Sequence, residues 1–262
     1  MPPLRLAATL LAAAVLTAAD DEAPPQGMDV VPLVKGAAAL VAPKESPLPG
    51  RPWSDDLAAL TDPSPAVHNP AIGRLVARGQ VVLTDLGVLA DDRDWQLRLR
   101  IVRVAAGIGG EAGAPLTLRL SNDTDPRVRR IAIVGLGRCR GEAVLQRLLE
   151  MLASLDGEER ASAAPSLSAI GDVRAIPALI RLRSDPDGPA RNAQAAALRQ
   201  LCAMRTAAPT VLKLLVDTAG EQRRALLEAL DGAVDFRLCP GLTRLLDDRE
   251  ALTVLLAARA LA

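Results

Sequence analysis

From about residue 94 onward the apolar positions recur at helical spacing, in short runs that each close on a small or turn-forming residue. The closures are "AAGIG" at Gly109, "VGLG" at Gly137, "LSAIG" at Gly171, "RQLC" at Cys202 and "EALDG" at Asp231. A second apolar segment follows each one. In "AVLQRLLEMLAS" the residues Val144, Leu145, Leu148, Leu149 and Leu152 fall on one helical face, and "RAIPALIRLRS", "APTVLKLLVDT" and "LCPGLTRLLDD" occupy corresponding places. Each unit is therefore predicted to be two short helices. Helices of about a dozen residues are marginal in isolation, so their stability has to come from stacking on neighbours.

The polar positions repeat with the apolar ones. "DWQLR" from Asp94, "DPRVR" from Asp125, "DGEER" from Asp156 and "DGPAR" from Asp187 align without gaps at a period of 31 residues, which also places Arg98, Arg129, Arg160 and Arg191 in phase. A fifth copy, at Arg223, is one residue out of phase and has no Asp four residues before it. Irregular spacing of the closing residues, with Asp and Arg held in register, is what loops tolerate and helices do not.

One stretch invites a different reading. "RRIAIVGLGRCRG", Arg129 to Gly141, looks like a buried strand running into the glycine turn of a dinucleotide-binding unit. Asp125-Pro126 argues against it. Asp accepts the free N–H groups of a first helical turn, and Pro at the first helical position sacrifices no hydrogen bond, so the apolar run is predicted to be a helix that Gly137 ends. "GLGRCRG" is also one residue longer than the fingerprint, and Gly109 and Gly171 hold the same place with no fingerprint around them.

Composition adds a constraint on the core. Half of the 262 residues are hydrophobic, yet the aromatics are only Trp53, Trp95 and Phe236, so the interior has to be built from Leu, Val, Ile and Ala. Small side chains suit closely packed helices. Net charge is zero, which provides no global field for nucleic acid or an anionic membrane. Arg outnumbers Lys 28 to 3; a GC-rich coding bias accounts for this without a role in phosphate recognition.

"DPRVRRIAIVGLG" with "AVLQRLLEMLAS", and "ARNAQAAALRQLC" with "APTVLKLLVDT", resemble HEAT repeats of the short kind, about 30 residues long, first named for phycobilisome lyases. The resemblance covers about Asp62 to Ala262. It implies an all-α, right-handed α-solenoid of about six stacked helical pairs, whose concave face is lined by the helix that begins near the Arg. It also implies that Asp94, Asp125, Asp156 and Asp187 form a stacked inter-repeat ladder with Arg98, Arg129, Arg160 and Arg191; the alternative is a row of Arg gripping an acidic ligand. Two departures are visible: Pro165 is expected to interrupt one helix, and the unit at Arg223 lacks its Asp.

The start of the chain reads differently. Arg5 precedes an apolar stretch from Leu6 to Leu16, followed by Thr17-Ala18-Ala19 and an acidic, Pro-rich run, the three-part plan of a secretory signal peptide with cleavage expected after Ala19. Residues 1–19 are thus read as the signal peptide, 20–61 as a Pro-rich linker or loosely packed extension, and 62–262 as the repeat domain. The apolar stretch is too short to span a bilayer comfortably, so no stable membrane span is expected after cleavage, and the mature chain is expected to be periplasmic or secreted. In that oxidising space Cys139, Cys202 and Cys239 read as isolated small core residues, with a single disulfide as the alternative.

Chemistry-bearing groups are sparse. His68, the only histidine, falls in the Pro-rich entry segment and reads as a loop residue, which argues against a His-based metal centre or a Cys-His or Ser-His nucleophile. The carboxylates sit at repeat turns, where capping explains them. No catalytic, metal or cofactor-binding residue is assigned. The expected function is an exported, non-catalytic scaffold holding a protein or peptide partner on the concave face. A tetrapyrrole (bilin) lyase or isomerase is the enzyme alternative, suggested by the family's name, and a nucleic-acid-binding helical repeat is the third. Finally, "REALTVLLAARALA" continues the pattern with Leu252, Leu255, Leu256 and Leu261 but has no following helix, which makes it a candidate surface for self-association.

Overall fold

The computed structural model describes residues 48–182, 185–230 and 236–261. The signal peptide read at 1–19 and most of the segment read as linker lie outside the described residues. Within them the chain is an all-α solenoid, with no strand among the described residues.

A short helix α1 (Ser54–Ala59) leads into α2 (Pro65–Arg78), α3 (Leu83–Leu89), α4 (Trp95–Ile108), α5 (Gly110–Leu120), α6 (Pro126–Leu136) and α7 (Glu142–Met151). The second half continues with α8 (Gly157–Ile170), α9 (Ile176–Arg181), α10 (Gly188–Cys202), α11 (Ala208–Asp217), α12 (Gly220–Ala229), α13 (Cys239–Arg244) and α14 (Ala251–Leu261). "RRIAIVGL" is part of α6, as the Asp125-Pro126 start requires.

The helices form two rows. α4, α6, α8, α10, α12 and α14 pack successively on one another, each with α5, α7, α9, α11 or α13 behind it. Members of the first row touch along much of their length, whereas those of the second touch only locally. The closely spaced row lies on the inside of the resulting curve.

Small residues make this closeness achievable. A Cβ at Gly135 of α6 would stand 2.7 Å from the Ala106 Cβ of α4, a separation that real side chains do not adopt. The turns on one edge are stitched as well: the Gly110 N–H donates to the Arg138 carbonyl at 3.0 Å, and the Arg140 N–H donates back to the Gly110 carbonyl at 2.9 Å. This bridge is the structural role of "GRCRG". It depends on Gly109, at φ +61°, where a Cβ would also meet the Arg138 carbonyl oxygen at 2.8 Å.

Three sequence expectations are corrected. His68 is not in a loop: Pro65 opens α2 at its first turn, and His68 is buried in that helix with Nδ1 3.0 Å from the Asp62 carbonyl. Pro165 does not break α8, which runs through it; the ring is exposed on the solvent side. The packed array begins before Asp62, because Leu57 and Leu60, within the stretch read as linker, are fully buried. Trp53 anchors this end by donating its indole N–H to the buried Asp85 at 2.8 Å.

Cys139 and Cys202 are buried free thiols and Cys239 is a half-buried one. Burial pushes the Cys139 thiol up, and the Cys202 thiol to about 12, which makes both poor nucleophiles.

Candidate binding face and the charge ladder

The four repeated Asp residues are helix caps. The Asp94 carboxylate accepts the Gln96 N–H at 2.9 Å, Asp125 that of Arg127 at 2.9 Å, Asp156 that of Glu158 at 2.8 Å and Asp187 that of Ala190 at 2.9 Å. They are not the direct partners of the repeated Arg residues, because their oxygens already face the first turn of their own helices.

The Arg residues reach across to the next unit through a different acid. Arg98 makes a two-pronged pair with Asp123, both bonds at 2.7 Å, and Arg160 does the same with Asp185 at 2.7 and 2.8 Å. Arg223, in the unit without an Asp cap, pairs with Asp248 at 2.7 Å. Each of these acids also holds its turn by accepting the N–H two residues on: Asp125 to Asp123 at 2.8 Å, Asp187 to Asp185 at 2.9 Å, Glu250 to Asp248 at 2.9 Å. The ladder thus ties one repeat to the next, but its acidic rungs stand two residues before the caps.

Position 154 lacks the acid, and the same two tasks are divided there. The Ser154 hydroxyl oxygen accepts the Asp156 N–H at 3.1 Å, while Glu159 supplies the carboxylate to Arg129 at 2.7 Å and accepts the Ser154 O–H at 2.7 Å. The lower side of each guanidinium is held by backbone: Arg98, Arg129 and Arg160 donate to the carbonyls of Asp92, Asp123 and Ser154 at 2.8, 3.0 and 2.9 Å.

The electrostatics follow the geometry. The hydrogen bond to Asp123 raises the Arg98 pKa, and the nearby charges of Asp125 and Asp94 add to the effect. Burial alone would raise the Asp123 pKa, but the bonds from Arg98 and from the Asp125 N–H outweigh it and the result is a lowered value. The Asp185 carboxyl is held down at about 2, first by the hydrogen bond from Arg160 and against the effect of burial. Arg98, Arg129 and Arg160 are therefore consumed by the fold and are not a row of free ligand grips.

The exposed inner face carries other groups. Arg127 stacks over the Trp95 ring, its guanidinium carbon 3.4 Å from the centroid, and also pairs with Asp125. Arg130 pairs with Glu158 across α6 and α8. Pro165, Asn192 and Arg199 follow as exposed residues along α8 and α10. Between α10 and α12 the face opens into a recess of about 340 Å³ lined by Asn192, Ala195, Leu198, Arg199, Glu228 and Ala229. The sequence reading found neither the recess nor the acidic rungs, although the spacing Asp123-x-Asp125 and Asp185-x-Asp187 was present in it.

Among the described residues no group of three or more His, Cys, Asp and Glu side chains could hold a metal ion, and no helix is long and apolar enough to cross a membrane. The C-terminal helix α14 buries Thr253, Ala257 and Ala260 and leaves Leu252 and Leu255 exposed.

Paired helices stacked in two rows, charge-locked at a fixed period, define an α-helical repeat protein. The family described as HEAT repeats matches residues 83–164 and, overlapping, 116–199, and the chain is a HEAT repeat-containing protein. No curated protein matches the sequence. Among solved structures, two engineered proteins of the Northeast Structural Genomics Consortium are similar to it. The first has 20% identity and a TM-score of 0.43, the alignment covering 80% of this chain and 63% of that one; the present chain thus spans less than two thirds of its length. The second has 18% identity and a TM-score of 0.41, covering 80% of this chain and 94% of the other.

Proposed function

We propose that the protein is an exported, non-catalytic scaffold that holds a protein or peptide partner on the inner face of the solenoid. The observation that carries this reading is the division of labour among the side chains. The periodic Arg and acid residues lock the repeats together, and the inner row still presents exposed side chains, Pro165, Asn192 and Arg199 among them, that take no part in the ladder. Stacked helical pairs with such a face are suited to binding extended or helical segments.

Export rests on the three-part pattern of residues 1–19, and self-association through α14 rests on the exposed Leu252 and Leu255. N-terminal sequencing of the native protein is expected to begin at Asp20; an intact Met1 on cytoplasmic protein would remove the export part. Light scattering over a concentration series tests α14, with Leu255→Glu expected to abolish any mass increase. For the scaffold itself, a photo-cross-linker placed at Ala195 of the inner row is expected to give a discrete protein adduct in intact cells. The same group at the exposed outer-row residue Val216 is expected to give none, and equal labelling from both rows would sink the reading.

A further inference from the structure

The charge ladder lapses at one junction. Arg191 is in phase with Arg160, yet it is exposed, and among the described residues its guanidinium makes no ion pair and donates only to the Asp185 carbonyl, at 2.8 Å. Asp217, which stands six residues before Arg223 as Asp185 stands six before Arg191, ends α11 as an exposed side chain and pairs with no cation among the described residues. The recess of the inner face lies at this same junction, between α10 and α12.

Its polar lining is not satisfied from within. Asn192 and Arg199 lie two helical turns apart on one face of α10, both exposed, and neither side chain has a hydrogen bond or ion pair among the described residues. Glu228, on the opposite wall, has an interaction of its own. The Arg199 guanidinium and the Asn192 carboxamide therefore flank a floor of small residues, Ala195 and Ala229. That floor leaves room for a peptide backbone. The seven-residue separation of Asn192 and Arg199 spans about 10 Å along the helix axis, which is about three residues of extended chain.

We infer that this recess is the docking subsite for an extended acidic segment of a partner protein. Arg199 holds a carboxylate of that segment, and the Asn192 carboxamide pairs with its main chain about three residues away. Charge complementarity selects the occupant: the unpaired groups on this wall are cationic or donors, and arginine forks favour carboxylates. The inference rests on the scaffold reading and adds to it a place and a partner chemistry.

The test uses the full chain and a fluorescein-labelled, end-capped hexapeptide alternating Glu and Ala, with its Gln-for-Glu counterpart, followed by anisotropy at low ionic strength. The acidic peptide is expected to bind and the Gln peptide to bind at least about tenfold more weakly. Arg199→Glu should weaken the acidic peptide by at least about tenfold, Asn192→Ala by a few-fold, and Arg138→Glu, an exposed residue at the turn after α6, should leave it unchanged; circular dichroism checks that each variant is folded. Equal binding of the two peptides, or indifference to Arg199→Glu, overturns the subsite. If the acidic peptide is instead lost on Arg130→Ala, the partner lies elsewhere on the inner face, so the subsite falls and the scaffold stands. If no peptide binds and Ala195 yields no cross-link, both fall.

Discussion

The junction between α8 and α10 and the junction between α10 and α12 are built from the same repeat and differ in how they are closed. At the first, Arg160 and Asp185 form a two-pronged pair in which Asp185 is 2% exposed, Gln194 donates to the same carboxylate at 3.0 Å, and Ser168 bonds Gln200 across the helices. At the second, the corresponding Arg191 and Asp217 are exposed and do not pair with each other, and a recess remains. One inserted residue between Arg191 and Arg223 and the loss of an Asp cap before α12 separate the two cases. A repeat array thus keeps its helical packing when a rung is lost, because apolar burial carries the stacking; Leu198, Leu201, Leu226 and Leu227 are all buried there. What the lost rung changes is the surface.

The contrast can be broken most severely by Asp185→Ala, which strands the half-desolvated Arg160 and leaves Gln194 without its acceptor; a loss of about 3 kcal/mol is expected in chemical denaturation. Arg129→Ala removes the link to Glu159 and two carbonyl contacts, with an expected loss of about 1.5 to 3 kcal/mol. An unchanged midpoint in that variant would contradict the structural role of the ladder.

Acid should act on the locked junction selectively. The folded-state pKa of Asp185 is depressed to about 2, so the stability that its ionisation contributes is complete above its unfolded value near 4 and disappears as pH falls toward 2. Asp123, also lowered, acts in the same direction. Denaturation midpoints measured from pH 5 down to pH 2 should fall steeply for the native chain and less for Asp185→Asn. At the open junction, Arg191→Ala is expected to change stability by less than about 0.5 kcal/mol; a loss matching that of Arg129→Ala would show the rung to be closed in solution.

Much of this was legible in the chain. The helical period, the Asp caps and the Arg register follow from short-range rules that a linear sequence displays. The acidic rungs were missed because each turn offers two carboxylates, Asp123 and Asp125 or Asp185 and Asp187, and only the fold of the turn decides which one faces the cap and which the neighbour. At the third turn the acid moves to Glu159, which no spacing rule anticipates. His68 and Pro165 depart from expectation because proline signals a break in a linear pattern, whereas Pro65 opens a helix at its first turn and Pro165 lies on the exposed side of one that continues through it. The recess depends on the distance between helices, which periodicity does not encode.

The aromatic anchors described above also give the molecule an uneven optical response. Both tryptophans lie before residue 100, Trp53 bound to Asp85 and Trp95 under Arg127, while the helices from α8 onward contain none. Intrinsic emission therefore reports the melting of the first repeats alone, whereas far-ultraviolet ellipticity reports all of them. If the array unzips from its C-terminal end, the two signals will part company, with ellipticity falling while emission holds.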